Sequence, residues 1–184
     1  MTSLLTKLHA YKASYLDGMN ALNSYELGRA IEAVKKSKTV YVGGNGGSAA
    51  ISNHLCCDFL KGANINVVSL SCNTPLITAI ANDIGYEDTL SYQLQKHVIG
   101  GDVVILISSS GNSPNIVKAA HYAKTHGIKL IGLTGFNGGK LNDLADIKLH
   151  IPICNYGIVE DCHQSIMHII SQFIVEERTK DVGF

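Results

Sequence analysis

Four side chains in two helical stretches could share a metal ion or move a proton. His54 and Asp58 are four residues apart, so both can project from one helical face. Glu160 and His168 differ by eight residues, roughly 80° around a helix axis, so they can flank one groove. Two imidazoles and two carboxylates suit Zn²⁺, and the same groups can act as general acid and base. A simple contact on the helix surface is the alternative for His54 and Asp58.

A glycine-rich loop comes shortly before the first of these helices. The apolar run 39–42 stops at Gly-Gly-Asn-Gly-Gly (residues 43–47), and a helix-forming segment follows. Glycine lets backbone N–H groups approach a ligand, and the N-terminus of a helix favours an anion. The loop lacks both the lysine of a Walker loop and the later acidic residue of a dinucleotide-binding loop. It therefore indicates a small anionic ligand.

A second loop, rich in serine, lies between a later apolar run and a helix. Its sequence is Ser-Ser-Ser-Gly-Asn-Ser-Pro (residues 108–114), with Ser113 placed to cap the helix and Pro114 at its first position. Hydroxyl groups together with free N–H groups at a helix N-terminus can bind a phosphate without a lysine. The alternative is a serine-rich turn with a single cap. The loop favours a small phosphorylated metabolite as the ligand.

Composition narrows the class of protein. The chain has 184 residues, 46% of them hydrophobic, which is enough for one well-buried domain spanning 1–184. The formal net charge of zero argues against a nucleic-acid or anionic-membrane surface as the main partner. No apolar run approaches the roughly 20 residues that cross a bilayer, and the N-terminus lacks the apolar core of a signal peptide. We therefore expect a cytoplasmic protein, with its five cysteines reduced.

Five short apolar runs alternate with helical patterns and predict the sheet. The runs are Thr39–Val42, Asn66–Leu70, Asp102–Ser108, Lys129–Thr134 and Ile147–Ile151. Strands that are apolar throughout are typical of a parallel sheet covered by helices on both faces. The predicted fold is a three-layer, doubly wound α/β sandwich. Ligands bind such sheets at the carboxyl ends of the strands, where both loops described above lie.

Helices are predicted before, between and after these strands. Two N-terminal helices, 2–20 and 24–36, precede the first strand, and Ser24 is the expected cap of the second. Their apolar stripe packs either on another subunit or on the chain's own sheet. The polar turn Asn82-Asp83 either caps the next helix or binds a hydroxylated ligand. The last helix, expected over 157–179, carries Glu160, His163, Gln164 and His168.

Taken in order, these stretches resemble the sugar isomerase (SIS) domain family, and within it the phosphoheptose isomerase branch. The matching segments are GGNGGSAA followed by His54, TAIANDIGYE, ISSSGNSPNIVKAA, GLTGFNGGKL and EDCHQSIMHII. The resemblance implies a flavodoxin-like order of five strands with extra N-terminal helices. It also implies a homotetramer with active sites shared between subunits, in which residues 1–37 lie in the interface. The implied reaction converts sedoheptulose 7-phosphate to glycero-manno-heptose 7-phosphate through an enediol.

The same resemblance implies roles for individual residues. The residues that would line the sugar are Asn45, Gly46, Gly47, Ser48, Asn82 and Asp83. The residues that would hold the phosphate are Ser108, Ser109, Ser110 and Ser113. One Zn²⁺ per subunit would be held by His54, Asp58, Glu160 and His168, with Asp58 and Glu160 also touching the substrate. Asp58 is the expected base and His168 the expected acid, with His163 as the second choice for the acid.

The sequence differs from the resembled family at a few of these positions. Asp58 stands where those isomerases carry Glu, and Glu160 where they carry Gln. Gly157 replaces an acidic residue, and Lys61 is adjacent to the place of an absent arginine. These departures leave open an isomerase of another phosphosugar. A second alternative is a non-catalytic SIS adaptor of the kind that binds the bacterial replication initiator, against which the retained polar residues His54, Asp58, Glu160 and His168 argue.

Overall fold

A single parallel sheet lies at the centre of the computed structural model, which describes residues 3–181. All neighbouring strands are parallel, in the order β2-β1-β3-β4-β5. The strands are β1 (Val40–Gly44), β2 (Val67–Ser69), β3 (Val103–Ser108), β4 (Lys129–Thr134) and β5 (Ile147–His150). The predicted doubly wound α/β fold with flavodoxin-like strand order is confirmed.

Helices cover both faces of this sheet. They are α1 (Leu4–Ala21), α2 (Ser24–Lys36), α3 (Gly47–Cys57), α4 (Thr74–Asp83), α5 (Ser91–His97), α6 (Pro114–Thr125), α7 (Gly139–Leu144) and α8 (Tyr156–Asp181). A π-helical turn, Asp58–Ala63, continues α3, and a 3₁₀ turn, Tyr86–Asp88, precedes α5. Helices α2, α3 and α8 pack on one face of the sheet, whereas α5, α6 and α7 pack on the other.

The central strand β3 shows why the sheet needs two helical layers. Its residues Val103, Ile105 and Ile107 belong to the core under α2, α3 and α8. The alternate residues Val104 and Leu106 belong to the core under α5, α6 and α7. All six residues of the strand are buried, because successive side chains of a strand point to opposite faces. Each core helps to fix the loops that follow the strands.

The two N-terminal helices pack partly on the chain itself. The Tyr11 hydroxyl donates to Oδ2 of Asp161 at 2.6 Å, and the hydroxyls of Tyr15 and Ser165 are 2.8 Å apart, which joins α1 to α8. The first turn of α1 leaves Leu4 82% and Leu5 66% exposed. The position of residues 1–37 in a subunit interface, and the single-domain boundary 1–184, stay predictions.

The predicted cap of α2 is wrong by one residue. Asn23, not Ser24, is the capping residue, since its Oδ1 accepts from the backbone N–H groups of Tyr25 (2.9 Å) and Glu26 (3.2 Å). Asn and Ser cap helices about equally well, so the residue type at position 24 does not by itself show that it is the cap.

Among residues 3–181, no helix is both long enough and apolar enough to pass through a membrane.

Candidate active site

Two helix N-termini meet at the carboxyl edge of the sheet and enclose a small polar cavity. Strand β1 leads into α3 on one face, and β3 leads into α6 on the other, so the loops separate at the topological switch point. The cavity between them has a volume of about 230 Å³. Its lining comprises Asn45, Gly46, Gly47, Ser48, Ile107, Ser108, Ser109, Ser110, Ser113, Tyr156 and Glu160. We call it the anion pocket, because two positive helix ends point into it.

Glycine is required where these loops turn. Gly46 has φ +55° and precedes α3 without a side-chain cap, which leaves the first N–H groups of the helix free for a ligand. Gly111 has φ +66°, and a Cβ atom there would overlap the carbonyl oxygen of Gly138. The serine loop can therefore pack against the loop after β4 only with glycine at position 111.

The four serines of the second loop divide into two kinds. The hydroxyls of Ser108 and Ser110 accept from the loop's own N–H groups, at Gly111 (3.2 Å) and Asn112 (3.3 Å). The Ser109 hydroxyl is buried and has no partner within the described residues. Ser113 stands at the cap position of α6, yet its side chain makes no capping hydrogen bond. Because a buried hydroxyl without a partner is costly, Ser109 is suited to hydrogen bonding with a ligand. The hydroxyl of Ser113 is half-buried and, since it does not cap α6, it can also reach a ligand.

The side chain of Asn45 is held by hydrogen bonds to Asn115 and Tyr86, which the sequence analysis did not single out. Its amide exchanges two hydrogen bonds with the amide of Asn115, at 2.8 and 2.9 Å. Its Oδ1 also accepts from the Tyr86 hydroxyl at 3.0 Å. The side chain thus fixes the glycine loop to α6, and the backbone of the loop remains for the ligand. Asn115 is a polar residue buried at the start of a helix, and such a residue needs a hydrogen-bond partner; this was the signal that could have indicated the contact with Asn45.

A second group of side chains lies further along α3. Nε2 of His54 is 3.0 Å from Nε2 of His168, and Oδ2 of Asp58 is 3.5 Å from both nitrogens. One ligand atom from each residue lies within 4.8 Å of the others. Two imidazole nitrogens and one carboxylate oxygen form the donor set of many three-residue zinc sites. The described residues therefore include three side chains that could hold a metal ion, called the triad below: His54, Asp58 and His168.

The helix changes its hydrogen bonding at this triad. Asp58 is the first residue of the π-helical turn Asp58–Ala63, which continues α3 directly. Segments of π-helix are rare and occur frequently at functional sites. A second polar cavity of about 460 Å³ adjoins the triad and is lined by Cys57, Asp58, Lys61, Gly62, His168, Ser171 and Gln172.

Glu160 is not part of the group formed by His54, Asp58 and His168, and its expected place among the metal ligands stays a prediction. Its carboxylate lies in the anion pocket against Gly47, where a Cβ atom would overlap it. The physical reason is the rise of the helix: eight residues separate Glu160 from His168 by about 12 Å along the axis. The angle around the helix alone suggested a shared groove and ignored this separation.

His163 was the second choice for the acid, but its side chain lies in the core and lines neither cavity. It is fully buried, and neither ring nitrogen makes a hydrogen bond of normal geometry within the described residues. Burial lowers the pKa of His163 to about 4, an effect that the nearby backbone of Thr134 offsets only in part. The side chain lines neither cavity, so it is a neutral core residue.

Two other residues that were expected to contact the sugar also lie outside the two cavities. Asn82 donates to Oδ1 of Asp83 at 2.8 Å, and both residues line neither cavity. Their contact with a sugar stays a prediction. Tyr156, which the sequence analysis missed, does line the anion pocket and packs on Phe136 with ring centroids 4.7 Å apart. It starts α8 and so lies beside the pocket that Glu160 enters.

Comparison with known proteins places this arrangement in a family. The family model described as "SIS domain" matches residues 16–135. Phosphoheptose isomerase 2 of Campylobacter jejuni is 39% identical over 84% of this chain and 79% of its own length. Phosphoheptose isomerase of Aneurinibacillus thermoaerophilus is 38% identical over 80% of this chain and 77% of its own.

Solved structures agree with the sequence comparisons. Phosphoheptose isomerase GmhA of Neisseria gonorrhoeae superposes with a TM-score of 0.86 at 27% identity, over 94% of this chain and 99% of that one. A phosphoheptose isomerase of Francisella tularensis gives a TM-score of 0.86 at 28% identity, over 96% and 100%. The chain belongs to the SIS domain family and, within it, to the phosphoheptose isomerases.

Proposed function

We propose that this chain interconverts sedoheptulose 7-phosphate and D-glycero-D-manno-heptose 7-phosphate, an aldose–ketose isomerisation through an enediol. The observation that carries the proposal is the triad in which His54 and Asp58, at the end of the helix that begins at the anion pocket, meet His168 of α8. Gly47 and His54 are separated by about 10 Å along α3. A sugar whose phosphate lies in the pocket can extend along this helix toward the triad.

The phosphate is assigned to the anion pocket. The N–H groups at the starts of α3 and α6 supply a positive field, and the hydroxyls of Ser109 and Ser113 are without partners among the described residues. Ser108 and Ser110 complete the loop. Glu160, which lines the same pocket, is an acceptor for sugar hydroxyls in this proposal. Fixing the far end of the sugar positions its reacting carbons, which is a large part of catalysis.

The triad is assigned a zinc ion, one per subunit. His54, Asp58 and His168 would hold it, and their imidazole and carboxylate donors fit this metal. When bound, the ion polarises the oxygen atoms on the two reacting carbons and stabilises negative charge that develops there.

Proton transfer is assigned to Asp58 and His168. The Asp58 carboxylate takes a proton from C1 of the open-chain ketose and later delivers it to C2. The roles of His168 in holding the ion and in moving protons alternate in this proposal: as imidazolium it gives a proton to the oxygen on C2, and as neutral imidazole it then accepts one from the oxygen on C1. Both side chains end in their starting states, so substrate and product differ only in the positions of hydrogen.

The proposal includes a homotetramer with shared sites. Exposed leucines on α1 and the apolar groove between α2 and α8 support contact between copies. A purely non-catalytic adaptor has no use for three donor side chains within 4.8 Å of one another, so we do not favour that alternative.

The test is direct conversion of the proposed substrate. Purified protein is incubated with sedoheptulose 7-phosphate, and ¹H NMR follows the aldose signals. We expect conversion to an equilibrium mixture by the wild type and a large loss of rate in Asp58→Asn. Fructose 6-phosphate under the same conditions is the control for a different phosphosugar. No conversion of the heptulose by the wild type would refute the proposal.

A further inference from the structure

Among the described residues, Tyr156 is the one aromatic side chain that lines the anion pocket. It is the first residue of α8 and is 59% exposed. Apart from Ile107, the other lining residues are glycines or carry polar side chains. The phosphate site assigned above uses hydroxyl and N–H groups, so the exposed ring has no function in it.

Phe136, in the turn that follows β4, packs against this ring. The ring centroids are 4.7 Å apart and the ring planes meet at 55°, a favourable arrangement for an aromatic pair. Phe136 has φ +50°, in the left-handed region that bulky residues rarely adopt. Its backbone N–H donates to the carbonyl oxygen of Ile153 at 3.2 Å. Such a conformation persists only where the surrounding structure enforces it, and residues of this kind cluster at ligand sites.

The aromatic pair is fixed relative to the serine loop. The backbone N–H of Gly135, next to Phe136, donates to the carbonyl oxygen of Ser109 at 2.8 Å. On the other side of the pair, Oδ1 of Asn155 accepts from the backbone N–H of Ile158 at 3.2 Å, which caps the start of α8. The ring of Tyr156 and the phosphate-binding loop are therefore held in one arrangement before a ligand arrives.

We propose that the ring of Tyr156 packs against the carbon chain of the substrate beside its phosphate, and that Phe136 positions the ring. In a sugar phosphate, the carbon atoms next to the phosphate present C–H groups that an aromatic surface can cover. The covered ring also keeps water away from the phosphate, and hydrogen bonds to a charged group are stronger where water is excluded. The inference rests on the phosphate position of the proposed function.

This contact makes the anion pocket selective for phosphate esters over inorganic phosphate. Both ligands can use the hydroxyl and N–H groups of the pocket, but only an ester has a carbon chain for the ring to cover. Burial of about 60 Å² of apolar surface corresponds to about 10-fold in affinity. Tyr156 should therefore contribute about 10-fold to the binding of a sugar phosphate and nothing to that of inorganic phosphate.

The experiment measures binding and does not depend on turnover. Heptitol 7-phosphate, made by borohydride reduction of sedoheptulose 7-phosphate, has no carbonyl group and cannot isomerise. Titration calorimetry gives its dissociation constant directly and that of inorganic phosphate by displacement. We expect Tyr156→Ala to weaken heptitol 7-phosphate binding about 10-fold and to leave inorganic phosphate binding unchanged. Tyr156→Phe keeps the ring and should bind both ligands as the wild type does.

A second variant tests the positioning role of Phe136. Phe136→Gly removes the ring, and glycine adopts a positive φ without strain. An aromatic pair typically contributes about 0.5–1.5 kcal/mol, so we expect heptitol 7-phosphate to bind about 2- to 10-fold more weakly. Inorganic phosphate should bind as it does to the wild type. This variant also serves if thermal unfolding shows that Tyr156→Ala does not fold.

Controls separate this inference from its rivals. Tyr92→Ala removes a tyrosine that lines neither cavity and should leave both affinities unchanged. Unchanged heptitol 7-phosphate binding in Tyr156→Ala, an equal loss for both ligands, or a loss as large in Tyr156→Phe would overturn the inference. A wild type that binds both ligands equally would also overturn it. Turnover of sedoheptulose 7-phosphate by the wild type tests the proposed function separately.

Discussion

The buried histidine of α8 makes stability depend on pH in a calculable way. His163 is fully buried, and burial lowers its pKa to about 4. In the unfolded chain a histidine has a pKa of about 6.5. Between these values the unfolded state binds a proton that the folded state does not, so acid favours unfolding. The stabilisation is fully present above pH 6.5 and is lost as the pH falls toward 4.

The size of the stability loss follows from the difference between the pKa of His163 in the folded and the unfolded chain. One pKa unit corresponds to about 1.4 kcal/mol, so His163 alone should cost about 2–3 kcal/mol of unfolding free energy between pH 7 and pH 4.5. The pKa of His150 on the neighbouring strand is also lowered by burial and adds to the wild-type loss. For that reason the prediction concerns the difference between the wild type and a variant that lacks only His163.

Urea unfolding at pH 7 and pH 4.5, followed by circular dichroism at one protein concentration with chelator present, measures this difference. His163→Leu keeps a similar volume and should lose about 2–3 kcal/mol less stability on acidification than the wild type. His126→Gln changes an exposed histidine and should retain the wild-type loss. Equal losses in His163→Leu and the wild type would refute the reasoning. At neutral pH His163→Leu should retain turnover, because His163 lines neither cavity.

The other predictions concern the site itself. His168→Gln should lower kcat by about 10²-fold or more, since it cannot transfer the oxygen-bound protons; steady-state kinetics check this, and a wild-type rate contradicts the assignment. Ser109→Ala should raise KM about 10-fold or more without lowering the melting temperature, because a hydrogen bond to a charged group contributes about 1.5–3 kcal/mol and the hydroxyl has no other described partner; an unchanged KM would remove Ser109 from the phosphate site. Elemental analysis of protein kept away from chelators should find about one zinc per chain, and a fully active metal-free sample would remove zinc from the account. Gly111→Ala should destabilise the fold by about 1–3 kcal/mol in urea, because φ is +66° and a methyl group would overlap the Gly138 carbonyl; unchanged stability would show that the loop can move.

The sheet and the anion pocket were predictable because each depends on local sequence. Apolar runs of strand length, separated by helical patterns, specify a parallel sheet covered on both faces. In such a sheet the loops after β1 and β3 meet at the carboxyl edge, so the glycine and serine loops had to lie near one another. The pairing of His54 with Asp58 was equally local, since it needs only the four-residue spacing of a helix.

The remaining positions could not be placed from the sequence, because they depend on distances between elements or along them. Glu160 was grouped with His168 from the angle around α8, but the rise of the helix separates them. Gln164 was noted only as a polar position, because its contact with the triad depends on how α8 packs against α3. Helix propensities do not predict the π-helical turn that begins at Asp58. His163 shows that a helical histidine beside catalytic positions can still be part of the core.

The most direct test of the central claim is a crystal structure of the zinc-loaded protein with sedoheptulose 7-phosphate. We expect the phosphate to lie between the starts of α3 and α6, within hydrogen-bonding distance of Ser109 and Ser113. We also expect C1 and C2 of the sugar to lie at the triad of His54, Asp58 and His168. A phosphate bound elsewhere, or reacting carbons that lie away from the triad in every subunit of the assembly, would contradict the proposed function.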